Sequence, residues 1–193
     1  MKAVFASHNP HKAEQVALLL PNIDLKVLDD LAPGLELYEP HDTFVDNARA
    51  KASAAAKVTG LPAIADDSGL EVDALGGDPG VRSARYAGVG ATDADNNRKL
   101  IAELMGLPDA ELTCRYRCVA VWMNPQGDEV MAEGVCEGSV VLEARGDMGF
   151  GYDPHVIPTG ETRTMAEIPL EEKLRFSHRG RAFRLLAERM AKS

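Results

Sequence analysis

The stretch Ala65-Asp66-Asp67-Ser68-Gly69 places two adjacent acids directly after the short apolar run Leu61-Pro62-Ala63-Ile64-Ala65. The apolar run predicts a buried strand that ends where the acids begin. Two carboxylates at a strand tip suit a hard cation such as Mg²⁺, which takes oxygen ligands and often shares them with phosphates. Hydrogen bonds from these side chains to the backbone of a Ser-Gly turn are the alternative explanation.

The composition is that of a globular chain with an acidic surface. A chain of 193 residues, 45% of them hydrophobic, is long enough to bury a substantial core. A formal net charge of −9 argues against nonspecific binding to a nucleic acid. We expect no signal peptide, no membrane span and a cytoplasmic location, because the N-terminus turns polar at once and no apolar run approaches ~20 residues. Cys114, Cys118 and Cys136 lack the spacing of zinc ligands, so we expect core thiols.

Alternating helix and strand signals predict an α/β fold. Strands are predicted over 2–7, 25–28 and 113–123, and two shorter ones over 130–144, with a hairpin turn over 124–128. Helices are predicted after Asn9-Pro10, from Thr43 to Gly60, from Thr92 to Gly106 and Pro108, and from near Ser177. We therefore expect one domain over residues 1–193, with a mixed sheet flanked by helices and two lobes around a central nucleotide-binding cleft.

The first anion-binding candidate is the segment Ser7-His8-Asn9-Pro10-His11-Lys12, where the first strand passes into a helix. Unpaired backbone N–H groups and the positive end of the helix dipole attract anions at such a point. A hydroxyl, an amide and an ammonium group add to this attraction. An ordinary Asn-Pro cap with a solvated lysine is the alternative.

The second candidate combines Glu39 with the helix that contains Asn47 and Lys51. Asn47 and Lys51 are four residues apart and share one helix face, so Lys51 could reach a phosphate that lies over that helix. Glu39, in the preceding loop, could help to hold a metal ion. Solvated surface charges are the alternative.

The third candidate is the glycine-spaced aromatic turn Gly149-Phe150-Gly151-Tyr152-Asp153-Pro154. Aromatic rings in an exposed loop offer flat faces on which a base can stack. Asp153 offers an acceptor for the edge of a base or for a ribose. A packed aromatic corner is the alternative.

The fourth candidate joins Glu172-Lys173 to Ser177-His178-Arg179-Gly180 at the start of the last helix. Lysine and arginine donors beside a helix N-terminus suit a carbonyl or phosphate oxygen. A capped basic helix start is the alternative.

These motifs, together with Pro79-Gly80-Val81-Arg82-Ser83-Ala84-Arg85-Tyr86, closely resemble the inosine/xanthosine triphosphate pyrophosphatase family in the same order along the chain. The resemblance implies hydrolysis of non-canonical purine nucleoside triphosphates such as ITP, dITP and XTP to the monophosphate and pyrophosphate. It also implies Mg²⁺ as cofactor, a homodimer, and a role in cleansing the nucleotide pool.

The resemblance also implies roles for matching residues. The catalytic residues would be Asp67 as the base that activates water, with Asp66 and Lys51 in support, and Glu39 and Asp67 would serve the metal. Substrate contacts would come from Ser7, His8, Asn9, Pro10, His11, Lys12, Ser68, Phe150, Gly151, Tyr152, Asp153, Lys173, His178 and Arg179. Of these, Ser7, Asn9 and Lys12 would cradle the triphosphate and Phe150 would stack on the base. Asp153, Lys173, His178 and Arg179 would read the edge of the base and the ribose.

Three positions depart from the common family pattern. Ser7 replaces the commoner threonine, His8 stands where glycine is frequent, and residues 174–176 are less polar than usual. These changes bear on substrate preference more than on reaction type. A pyrophosphatase for modified pyrimidine triphosphates and a nucleotide-binding regulator without turnover are the alternative functions. The paired acids argue against the regulator, because a phosphate binder gains nothing from extra negative charge unless a cation is held.

Overall fold

The computed structural model describes residues 1–107 and 109–192. The strands are β1 (Lys2–Phe5), β2 (Asp24–Val27), β3 (Ala63–Val72), β4 (Thr113–Met123), β5 (Glu129–Val140) and β6 (Val156–Pro158). The α-helices are α1 (Pro10–Leu19), α2 (Leu28–Leu31), α3 (Phe44–Thr59), α4 (Asp93–Met105), α5 (Leu170–Phe176) and α6 (His178–Met190). Pro108, which we predicted to follow the end of α4, lies outside the described residues.

The six strands form one mixed sheet in the order β2-β1-β3-β4-β5-β6. β1 pairs in parallel with both β2 and β3, whereas β5 and β6 are antiparallel. The predicted hairpin turn joins β4 to β5, and the backbone N–H of Asn124 donates to the carbonyl of Asp128 at 3.0 Å. The predicted α/β class with a mixed sheet and flanking helices is confirmed.

The helix ends lie where the capping signals placed them. The Asn9 side chain caps α1, with Pro10 as its first residue, and the Thr43 side chain caps α3. Thr92 and Asp95 form a complete capping box at the start of α4. Gly60 ends α3 with φ +68°, a left-handed conformation that glycine adopts without steric cost.

Two strand predictions were wrong, and the elements α2, α5 and β6 were not predicted. β3 does not end at Ala65 but continues to Val72, so both acids lie within the strand. β5 is one strand and not two, and it runs through Gly134 and Gly138, where the glycines had suggested a break. A side chain at Gly138 would collide with the backbone of Ile157 in β6, so this glycine permits close pairing of the strands.

The chain divides into two compact units. Unit 1 contains residues 1–67, 118–134 and 179–193, and unit 2 contains residues 68–117 and 135–178. Each unit has its own apolar core: Phe5, Ile64 and Phe183 are central in unit 1, and Leu70, Leu100 and Tyr152 belong to the core of unit 2. The single domain and the central cleft stay predictions.

Two smaller expectations concern the thiols and membrane association. The three cysteines are buried and unbridged, as predicted for core thiols. Among the α-helices of the described residues, none is both long and apolar enough to cross a membrane.

Candidate active site

Asp66 in unit 1 is a buried carboxylate between two basic side chains. Lys12 Nζ donates to its Oδ1 at 3.2 Å, and the Nε and Nη2 atoms of Arg179 lie 3.3 and 3.2 Å from its Oδ2. The Cys118 thiol lies 3.8 Å from the same Oδ2. Burial opposes ionisation, but the charges of Lys12, Arg179 and Lys51 outweigh it and hold the pKa of Asp66 well below its usual range. These charges therefore favour the ionised form of Asp66.

Asp67 has a different set of partners and a different pKa. Lys51 Nζ donates to its Oδ1 at 3.1 Å, and Asn47 Nδ2 donates to its Oδ2 at 3.2 Å. Burial raises the pKa of Asp67 to about 6, against the attraction of Lys51, and the nearby charge of Glu39 adds to the rise. A carboxyl with a pKa near 6 is suited to accept a proton at neutral pH.

The ammonium group of Lys51 joins two carboxylates. Its Nζ donates to Glu39 Oε1 at 2.6 Å as well as to Asp67. Burial lowers the pKa of Lys51, but the charges of Asp67 and Glu39 outweigh it and raise the pKa above the usual value. Lys51 is only 5% exposed, so the solvated-charge explanation does not hold for it.

Asn47 connects the Glu39 loop to the same group. Its side-chain oxygen accepts from the backbone N–H of His41, and its Nδ2 donates to the His41 carbonyl at 3.1 Å as well as to Asp67. Asn47 is completely buried. It therefore fixes the end of the loop that carries Glu39 relative to β3.

Glu39 and Asp67 are candidate ligands of a magnesium ion, because their carboxylates already share one cation. Glu39 Oε1 and Asp67 Oδ1 both contact Lys51 Nζ, so both oxygens lie within reach of a single positive charge. Within residues 1–107 and 109–192, no group of three or more His, Cys, Asp or Glu side chains could hold a metal. A Mg²⁺ ion would therefore need phosphate oxygens and water as its remaining ligands, which is its usual mode of binding.

The predicted anion-binding segment, residues 7–12, forms a hydrogen-bonded turn at the start of α1. Asn9 Oδ1 accepts from the backbone N–H groups of His11 and Lys12 at 2.9 and 3.2 Å, and Ser7 Oγ accepts from the Asn9 backbone N–H at 3.1 Å. Pro10 occupies the first helical position. The Asn-Pro cap is thus present, but Lys12 is paired with Asp66 and is not a solvated lysine.

His8 of the same segment contacts α2 and the loop that follows it. Its Nδ1 lies 2.8 Å from Asp29 Oδ1, and its Nε2 lies 3.0 Å from the carbonyl of Leu35. The structure thus gives His8 contacts that the sequence did not predict, while its substrate contact stays a prediction.

Unit 2 contains a second polar group, centred on Asp153. Lys173 Nζ donates to its Oδ2 at 2.8 Å, and the Tyr116 hydroxyl donates to its Oδ1 at 3.1 Å. The Tyr116 ring stacks on His178, with ring centroids 4.7 Å apart. All four side chains are buried. The third and fourth sequence motifs are therefore joined in one cluster.

The aromatic turn is only partly exposed. Phe150 is half-buried, whereas Tyr152 is buried in the core of unit 2, and its hydroxyl donates to the Ser83 carbonyl at 2.7 Å. The backbone N–H of Gly151 donates to Asp93 Oδ2 at 2.7 Å. Ser68 is half-buried within β3. The packed-corner alternative thus describes Tyr152, whereas Phe150 is partly exposed.

Two residues of these groups were missed by the sequence reasoning. Gln15 is buried on α1 and accepts from Arg179 Nη1 at 2.9 Å. The sequence marks Gln15 only as a polar residue next to Val16, three positions after Lys12 on an amphipathic helix. Tyr116 was marked only by its place in β4, where it has the same parity as the buried Cys114 and Cys118.

Comparison with known proteins identifies a family for nearly the whole chain. The model of the Ham1 family matches residues 3–189. A dITP/XTP pyrophosphatase of Syntrophobacter fumaroxidans is 48% identical over 183 residues, which cover 93% of this chain and 77% of that protein. One of Geobacter sulfurreducens is 44% identical and covers 98% of this chain and 96% of that protein.

Solved structures share the fold as well as the sequence. A HAM1 protein from Coxiella burnetii has a TM-score of 0.91 and 38% identity, and the alignment covers 100% of both chains. A nucleoside-triphosphatase, or dITP/XTP pyrophosphatase, from Mycobacterium abscessus has a TM-score of 0.77 and 42% identity over 98% of this chain and 99% of that one. The family resemblance that the sequence motifs indicated is confirmed.

Proposed function

Since the chain belongs to the Ham1 family, we propose that it hydrolyses non-canonical purine nucleoside triphosphates, namely ITP, dITP and XTP, to the monophosphate and pyrophosphate. The single observation that carries the proposal is the environment of Asp67. Its buried carboxyl, with a pKa of about 6, is joined by Lys51 to Glu39. The names of the relatives, dITP/XTP pyrophosphatase, support the same reaction.

In the proposed reaction, a water oxygen forms a bond to the α-phosphorus and the bond from that phosphorus to the bridging oxygen breaks. Pyrophosphate leaves, and Asp67 takes the proton of the attacking water. Lys12 and the N-terminal end of α1 bind the negative triphosphate. Asp66 stays ionised between Lys12 and Arg179 and so fixes the position of Lys12.

Glu39 and Asp67 are the residues that would hold Mg²⁺. The ion, when bound, supplies positive charge to the phosphate oxygens and the leaving pyrophosphate. Lys51 takes part in the same group because its ammonium stays protonated and limits the repulsion between the two carboxylates.

We assign base recognition to the cluster in unit 2. Phe150 offers a ring for stacking, and Lys173 and His178 supply donors held in place by Asp153 and Tyr116. Hypoxanthine and xanthine have an acceptor oxygen at position 6, whereas adenine has an amino donor there. Lys173 has donors only, so the Lys173 ammonium and the 6-amino group of adenine would both lack a partner. A site built to hydrogen-bond one group of its substrate rejects an analogue that lacks this group by as much as ~10⁴-fold.

The proposal keeps the expected cytoplasmic location and includes a homodimer, which the family resemblance implies. A pyrophosphatase for modified pyrimidine triphosphates is the second candidate, and the purine names of the relatives argue against it.

The decisive experiment follows the products of ITP in the presence of Mg²⁺. We expect IMP and pyrophosphate in equal amounts, and much slower turnover of ATP. A panel with dITP, XTP and modified pyrimidine triphosphates ranks the substrates, and a chelator tests the metal. Release of IDP and orthophosphate would exclude attack at the α-phosphorus.

A further inference from the structure

Asn97 lies on α4, and its side chain contacts the backbone of the aromatic turn. Its Nδ2 donates to the Gly151 carbonyl at 2.9 Å. Asp93, one turn earlier on the same helix, accepts from the Gly151 N–H at 2.7 Å through its Oδ2. Both polar backbone groups of Gly151 are thus bonded to α4. Neither the sequence motifs nor the proposed reaction gives Asp93 or Asn97 a role.

Phe150 lies between two glycines, so contacts from outside the turn contribute to its orientation. Gly149 has φ +89° and Gly151 has φ +64°. Glycine has more backbone freedom than any other residue, and two of them orient the residue between them poorly. The hydrogen bond to Asp93 holds the peptide group that joins Phe150 to Gly151. It therefore restricts the direction in which the Phe150 ring leaves the turn.

The helix α4 is a fixed support for these contacts. Its residues Leu100 and Leu104 are buried in the core of unit 2. Its buried Asn96 makes two hydrogen bonds to the backbone of segment 84–87, at 2.8 and 3.2 Å. Groups carried by a well-packed helix hold their partners more precisely than groups carried by a loop. Gly151 therefore has a defined position relative to the core.

The Asn97 amide is used through its donor. Its Oδ1 is buried, and no residue in the described part of the chain donates to it. The Gly151 carbonyl can only accept, so it determines which end of the amide faces it. A buried acceptor without a partner lowers stability, and an apolar side chain of similar size should therefore cost the fold little at this position. A positioning role and a stabilising role thus predict different results for the same substitution.

We propose that Asp93 and Asn97 are positioning residues, which hold Gly151 and thereby keep the Phe150 ring in the orientation that stacks on the base. The inference rests on the proposed function, because it takes Phe150 as the stacking residue. A ring that is already oriented loses less conformational freedom when the base binds, so the base binds more tightly. The two residues affect binding of the base and not of the triphosphate.

Calorimetry with two ligands separates these effects. The first ligand is the ITP analogue with a methylene group between the α- and β-phosphorus, which cannot release pyrophosphate, and the second is inorganic tripolyphosphate, which has no base. Asn97→Leu should bind the analogue about tenfold more weakly, a loss within the contribution of one stacked ring. It should bind tripolyphosphate within about twofold of the wild type, and its Tm should change little. Equal weakening of both ligands would overturn the proposal, and so would wild-type binding of the analogue.

Arg98→Met is the matched control at the next position of α4. Arg98 is exposed and forms an exposed ion pair with Asp95, which contributes little to stability. The variant should bind both ligands as the wild type does. Analogue binding weakened as much as in Asn97→Leu would mean that any change in this turn of α4 has the effect, and it would overturn the proposal.

A pair of variants at Asp93 tests the second hydrogen bond. Asp93→Ala removes the acceptor and should weaken binding of the analogue about fivefold, whereas Asp93→Asn keeps an acceptor oxygen and should bind within about twofold of the wild type. Thr92 and Asp95 form the capping box of α4, so the helix start is kept in both variants. Equal weakening by the two substitutions would assign the effect to the charge of Asp93 and contradict the proposal.

A double-mutant cycle tests whether Asn97 acts through the ring. In the Phe150→Ala background, Asn97→Leu should weaken analogue binding by less than about twofold, because the ring that it positions is absent. An undiminished tenfold effect would mean that Asn97 acts on the nucleotide by another route, and it would overturn the proposal. Analogue binding unchanged by Phe150→Ala would remove the stacking role of Phe150 and the inference with it. Circular dichroism establishes that each variant is folded.

Steady-state kinetics add a readout that depends on the base. Every base has a face on which a ring can stack, so Asn97→Leu should lower kcat/KM for ITP and for ATP by the same factor. A larger loss with ITP would place the effect on the polar groups that read the base edge, and it would contradict the proposal. If the wild type binds the analogue but releases no pyrophosphate from ITP, the proposed function fails, while the binding measurements still test Asn97.

Discussion

Asp66 and Asp67 are consecutive residues of β3, but their carboxylates contact different helices. Asp66 meets Lys12 of α1 and Arg179 of α6, whereas Asp67 meets Lys51 of α3. Successive side chains of a strand point to opposite faces of the sheet, so the pair is divided between two environments. The pKa of Asp66 is strongly lowered, whereas that of Asp67 is raised. Asp66 is therefore suited to pair with basic side chains, and Asp67 is suited to take a proton.

The proton-accepting role of Asp67 predicts a large effect on turnover. Asp67→Asn keeps the size of the side chain and an acceptor oxygen but removes the base, so kcat for ITP should fall by at least ~10²-fold. Asp42→Asn, in the exposed loop before α3, is the control and should keep wild-type turnover. Turnover retained by folded Asp67→Asn would assign the base to another residue.

The raised pKa of Asp67 also predicts a pH dependence of stability. The folded protein holds the Asp67 proton up to about pH 6, whereas the unfolded chain releases it near the ordinary value of 3.8. Between these values the folded state binds more protons, so the contribution of Asp67 to the free energy of unfolding falls as pH rises, by up to about 3 kcal/mol.

Asp67→Asn removes this dependence. Urea unfolding of both proteins from pH 4 to pH 7, with a chelator present, should show the variant gaining stability relative to the wild type as the pH rises. A constant difference over this range would mean that Asp67 ionises with an unshifted pKa.

Lys51 lies between two carboxylates, so we expect a metal ion to replace part of the stabilisation that its ammonium group supplies. Lys51→Met leaves Glu39 and Asp67 without their shared cation, and loss of one partner from a buried ion pair typically costs about 3–5 kcal/mol. Mg²⁺ should therefore raise the Tm of this variant more than that of the wild type. Lys57→Met, on the exposed face of the same helix, is the control. Equal Tm shifts in variant and wild type would argue against Glu39 and Asp67 as the metal ligands.

The absence of a side chain at Gly149 leaves room for the base-recognition cluster. A Cβ atom at this position would collide with the Asp153 carboxylate and lie 2.6 Å from Lys173 Nζ. Gly149→Ala should separate Lys173 from Asp153 and raise KM for ITP by about tenfold, as expected when a charged hydrogen bond is lost.

Gly160→Ala is a closely matched control for this substitution. Gly160 has the same φ of +89° as Gly149, but apart from its chain neighbours no atom lies within 4 Å of the position of its Cβ. Both variants place an alanine at a positive φ, and only Gly149→Ala adds the collision. If both raise KM equally, the effect is due to the backbone and not to the Lys173–Asp153 pair.

Local signals in the sequence were sufficient for the starts of α1, α3 and α4 and for the fold class. The caps at Asn9, Thr43 and Thr92 depend on atoms within a few residues of each other, and the structure places helices directly after them. The strand limits were harder to predict. Acids and glycines are poor strand formers in isolation, but β3 lies between β1 and β4 and its acids have basic partners.

The order and type of the motifs determined the family and the set of candidate residues from the sequence alone. Only the tertiary structure decided which charges meet. Arg179 lies 113 positions after Asp66 along the chain, and Gln15 lies 164 positions before Arg179, so no local pattern could pair them. The pKa values of Asp66 and Asp67 were decided in the same way, because burial and the distances to opposite charges are properties of the packed chain, and two adjacent aspartates are chemically identical before it folds.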